Sequence, residues 1–105
     1  MLESCRLDNV LDDVIAERRA AHAKHGPQSH PDGTGLPSRR YIADAARDVC
    51  NAAARGGRLT WQHILNEEVS EAFAETEPAK LRAELIQVAS VAIDWVLDID
   101  AKAAM

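Results

Sequence analysis

Residues 65–87, LNEEVSEAFAETEPAKLRAELIQ, carry two helical stripes separated by a break. Leu65, Val69 and Ala72 recur at spacings of four and three, and so do Leu81, Leu85 and Val88. That period puts each set on one face of a helix. Between the stripes, Thr76-Glu77-Pro78 interrupts the pattern, and a proline is favoured at the first position of a new helix. The stretch therefore predicts two helices, from Trp61 to about Glu75 and from Pro78 to about Lys102, with Thr60 capping the first. A link this short makes the two antiparallel neighbours.

The same periods extend outward. Leu7, Val10, Leu11, Val14 and Ile15 predict a helix over 7–24. Residues 25–38, HGPQSHPDGTGLPS, read as a loop by their prolines and glycines. A loop of this length in a small domain points to function. Residues 39–55 read as a helix with Ser38 as its N-cap and Gly56-Gly57 as its stop. No alternation of period two and no internal repeat is present. The expected fold is all-α, a four-helix bundle.

The chain has 105 residues, which implies a single helical domain over 1–105. A hydrophobic fraction of 47% fits a folded protein rather than a disordered one. The net charge is -5 and the 12 Lys and Arg are scattered, so no basic stripe for a nucleic-acid polymer is seen. Cys5 and Cys50 form no CxxC and no disulfide framework, and read as free thiols in a reducing compartment. The start, MLESCRLDNV, has no apolar leader core. IQVASVAIDWVLDI is interrupted by Asp94 and Asp98 and is too short for a membrane span. These features together predict a cytoplasmic protein with no membrane partner.

Six glutamates lie in residues 65–87. On a wheel of about 100° per residue, Glu68 and Glu71 flank the first stripe, one turn apart. Glu84 and Gln87 flank the second with the same offsets. Antiparallel packing brings the flanks face to face, with three carboxylates and an amide at the core's edge. Such an oxygen set suits Mg²⁺ or Mn²⁺. Without a cation the like charges repel and favour proton uptake. The competing reading is a solvated helical face, since glutamate is common on helices.

Asp94 shares the flank of Gln87, about 10 Å further along the axis, as a substrate contact or an exposed helix residue. Lys24, His25, Gln28 and His30 stand where a base or phosphates would be met, or form a polar loop. Lys24 suits phosphate as a point charge. The spacing of His22, His25 and His30 matches no structural zinc pattern. Trp61 reads as a base-stacking residue or as partly buried core. Trp95 falls in the apolar stripe.

EEVSE at 67–71, followed by LRAELIQ at 81–87 and preceded by Thr60, Trp61 and Leu65, resembles the MazG-like all-α nucleoside triphosphate pyrophosphohydrolases. Their pattern is EExxE, a spacer, then ExxD. ERRAAHAKHGPQ at 17–28 resembles their opening segment, with His25 where tryptophan is usual. The resemblance implies Mg²⁺ at Glu68, Glu71, Glu84 and Gln87, and a role for Glu67 as auxiliary ligand or in positioning the attacking water. It makes Glu67 and Glu68 the expected catalytic pair. It also implies cleavage of a nucleoside triphosphate to the monophosphate and pyrophosphate, in a homodimer or homotetramer. Gln87 departs from the family's aspartate and removes one negative charge. The alternative is a catalytically degenerate nucleotide-binding or helical interaction module of the same fold.

Overall fold

A computed structural model of the chain describes residues 2–105, with side chains from Cys5 onward. The first four side chains, part of the segment read above as carrying no leader, lie outside the described residues. Four α-helices and no strand are found among the described residues: α1 (Leu2–His25), α2 (Pro37–Arg55), α3 (Trp61–Ala74) and α4 (Pro78–Ala103). The all-α expectation holds. None of these helices is long and apolar enough to cross a membrane.

The chain divides into two compact units, residues 1–31 with Ile93–Met105, and Asp32–Ala92. In the first unit, Val10 is buried on α1. Gly26, with φ of 68°, ends α1 in the left-handed region and donates its N–H to the His22 carbonyl at 2.7 Å. Glycine adopts that φ without a Cβ penalty, which is why the helix stops there. His22, Lys24 and His25 occupy the last turn, where cations interact favourably with the helix dipole.

In the second unit, α2 and α3 pack against each other. The buried face of α2 is Ala43, Ala46, Cys50 and Ala53. Small side chains at spacings of three and four let another backbone approach closely. The two helices run antiparallel. Gly35, just before α2, donates its N–H to the Phe73 carbonyl near the end of α3 at 2.9 Å. Arg39 stacks over the Phe73 ring, 5.3 Å from its centroid, a cation–π contact. Gly35 has φ of 83°, and an added Cβ there would meet Thr76 Cγ2 at 2.7 Å.

The helix ends follow local chemistry, with two corrections. α1 begins at Leu2 rather than at residue 7. Leu36, not Ser38, is the N-cap of α2, and it makes no side-chain cap. Pro37 explains this, because its fixed φ seeds the first helical turn and its missing N–H needs no cap. Ser38 is thus inside the helix. Gly56 is the C-cap of α2, Gly57 follows it in the left-handed region with φ of 68°, and Pro78 begins α4.

Thr60 caps α3 and accepts from the His63 N–H at 3.2 Å. His63 Nδ1 accepts the Thr60 N–H in return at 3.1 Å. This is a capping box in which histidine fills the place usual for Glu or Gln. Thr60→Ala is expected to cost about 1 kcal/mol, lowering the melting temperature by roughly 5 °C in a thermal scan.

Candidate carboxylate site

The site lies within the second unit. α3 supplies Glu67, Glu68 and Glu71, and α4 supplies Glu84. Glu67, Glu68, Glu71 and Glu84 are all partly buried, neither core nor free surface. Ser70 and Ala72, on the buried face of α3, and Leu81, one turn before Glu84 on α4, are buried. These apolar and small positions place the glutamates at the edge of the core, as their flank offsets require.

The charges of these residues act on one another. Burial pushes the Glu68 carboxyl above the usual carboxylate range, and the charges of Glu84, Glu67 and Glu71 push it further. Burial also raises Glu84, with Glu71 and Glu75 adding to it and Arg40 opposing. The flanks of α3 and α4 therefore share one electrostatic neighbourhood.

α2 closes the site from the other side, and it does so with residues that the hydrophobic pattern did not single out. Arg40 donates to Glu71 Oε2 at 2.9 Å, and Arg47 donates to Glu71 Oε1 at 3.5 Å. Asp44 lies between the two arginines, 3.3 Å from Arg40 and 2.8 Å from Arg47. The signal was present in the spacing of Arg40, Asp44 and Arg47, four and three residues apart on one helical face. Cys50, buried on the same helix, donates its thiol to Glu67. Burial first, then that bond, raises the thiol above its ordinary range.

Among the described residues no group of three or more His, Cys, Asp or Glu side chains is gathered to hold a metal ion. Glu71 is drawn toward the two arginines. In kind, however, the donors fit a hard cation. They are carboxylate oxygens, partly desolvated, with like charges that a cation would relieve.

The remaining residues separate by unit. Gln87 is exposed on α4, one turn beyond Glu84. Trp61 opens α3 and is partly buried. Lys24, Gln28 and Asp94 belong to the first unit. Gln28 Oε1 pairs with His30 Nε2 at 2.9 Å and lines a hollow with Arg18 and His22. Cys5 and Cys50 are both free, the first exposed and the second buried.

The raised carboxyls set a pH dependence. A carboxyl whose folded-state affinity for protons is raised holds more protons folded than unfolded. Stability then falls as pH rises from the ordinary carboxylate range through the raised one. Glu84→Gln is expected to melt at a higher temperature than the parent at pH 7, with the difference closing by pH 4. Melting curves across that range check it, and an unchanged gap at pH 4 would contradict the assignment.

No protein-family model matches the chain, and no curated protein or solved structure matches it significantly.

Proposed function

We propose that the chain is a Mg²⁺-dependent nucleoside triphosphate pyrophosphohydrolase of the MazG-like kind. The observation that carries this reading is the shared electrostatic neighbourhood of Glu67, Glu68 and Glu71 on α3 with Glu84 on α4. The EExxE motif followed by ELIQ supplies the family resemblance. Phosphoryl chemistry asks a protein mainly for positioning and for neutralisation of phosphate charge.

In this reading Glu68, Glu71 and Glu84 provide carboxylate oxygens and Gln87 an amide oxygen. Bound Mg²⁺, or Mn²⁺ in its place, supplies charge neutralisation and a more acidic water. Glu67 orients the attacking water, and the Cys50 thiol behind it restrains its carboxylate. Trp61, partly buried at the start of the same helix, is assigned in this reading to stacking on a base.

The protein is read as a cytoplasmic homodimer or homotetramer. Exposed Tyr41, Ile42 and Val49 on α2 and Leu85 and Ile86 on α4 favour association. So small a core is also marginal alone. The test is pyrophosphate release from a panel of ribo- and deoxyribonucleoside triphosphates with Mg²⁺ or Mn²⁺. No release from any of them would sink the catalytic reading.

One observation favours a second reading, a nucleotide-binding module without turnover. Gln87 stands at the family's aspartate position and is exposed. Under this reading, nucleotides bind in a cation-dependent way without cleavage, and Gln87→Asp starts turnover.

A further inference from the structure

We propose that a hollow between α2 and α3 is a binding site for a nucleobase. The site rests on the nucleotide reading above for its ligand class, and it needs no cation at the glutamates.

The hollow has a volume of about 230 Å³ and is lined by Val49 of α2 and by Gln62, His63 and Asn66 of α3. All four lie in the second unit, on the two helices that pack against each other. Pockets that enclose a drug-sized ligand run to about 300–1,000 Å³. This one has room for a single ring system rather than a whole nucleotide. Gln62 and Asn66 are four residues apart and share a face of α3. The register of the helices, marked by the bond from the Cys50 thiol to Glu67, brings the neighbouring Val49 and Asn66 into one hollow.

Three features give the hollow its chemistry. First, each carboxamide carries N–H donors and a carbonyl acceptor, the combination that pairs with the mixed edge of a base. Both are exposed, and neither is engaged in a hydrogen bond among the described residues. Second, His63 is fixed in place. Its Nδ1 accepts the Thr60 N–H at 3.1 Å and lies 2.9 Å from Thr60 Oγ1. With Nδ1 engaged as an acceptor, the ring proton stands on Nε2 and leaves one donor to offer. A ring already held loses little freedom when a ligand arrives. Third, Val49 is 55% exposed, and a ring face laid on its methyls would take apolar surface out of water. Among the described residues, no carboxylate, ammonium or guanidinium lines this hollow. The lining therefore selects a neutral, planar ligand with a hydrogen-bonding edge.

The test adds phosphate-free nucleosides (adenosine, guanosine, cytidine and uridine) to the isotope-labelled full chain without metal. The side-chain amide signals of Gln62 and Asn66 are followed by NMR. At least one nucleoside should shift both signals saturably at millimolar concentration, and free ribose should shift neither. Gln62→Ala and Asn66→Ala should each weaken that binding about three- to tenfold. Both positions are exposed, so the variants should melt with the parent, which shows that they fold. No saturable shift with any nucleoside, or equal shifts with ribose, overturns this site alone, because the glutamates take no part in the measurement. Binding undiminished in both alanine variants places the base elsewhere and overturns it too. Base binding here in a chain that releases no pyrophosphate supports the site and sinks only the catalytic reading.

Discussion

Glu68→Ala should lower cation-dependent pyrophosphate release by at least about a hundredfold while leaving the fold intact. Glu68 is the carboxylate on which the other three act, with Glu84 reaching it from α4 and Glu67 and Glu71 from its own helix. A metal ion supplies several kcal/mol of charge stabilisation in phosphoryl chemistry, and each 1.36 kcal/mol is about tenfold in rate. Losing the central oxygen donor forfeits a large part of it. The fold should survive, because removing a partly buried, repelled carboxylate relieves strain rather than creating it. Melting with and without millimolar Mg²⁺ gives an independent readout. Cation binding to the folded parent raises its melting temperature, and Glu68→Ala should lose that rise. Unchanged turnover in the variant would remove Glu68 from the site.

Ala43→Leu should be among the most damaging single changes to the fold, at about 1–3 kcal/mol. Ala43 is 0% exposed, on the face of α2 that meets α3. Close packing leaves no room for three more heavy atoms without off-rotamer side chains or a backbone shift. In a chain this small, that loss lowers the melting temperature by roughly 10 °C. Ala45→Leu, two residues along and exposed, is the control and should change little. Equal melting of the two variants would mean that the small-residue face does not set the approach of the helices. The arginines would be affected too, because Arg40 and Arg47 reach Glu71 across this same contact.

The sequence by itself determined the helices and most of their ends. Thr60, Gly57 and Pro78 act through local hydrogen bonding and φ preference, so their effect is written in a few adjacent residues. Ser38 failed as a cap for the same kind of reason, since the neighbouring Pro37 had already begun the helix. The placing of Glu68 and Glu71 one turn apart on one flank of α3 was also legible, because helical period converts spacing into a common flank.

What only the tertiary structure decided is where the charges find partners. Nothing in the local pattern tells that Glu71 meets Arg40 and Arg47, thirty-one and twenty-four residues earlier, or that Cys50 donates to Glu67. Those pairings depend on the register in which α2 lies along α3, and that register comes from packing. The alanine face of α2 and the Gly35 tether to Phe73 set it. Periodicity says which face a residue occupies, but only the approach of a second helix says what stands opposite.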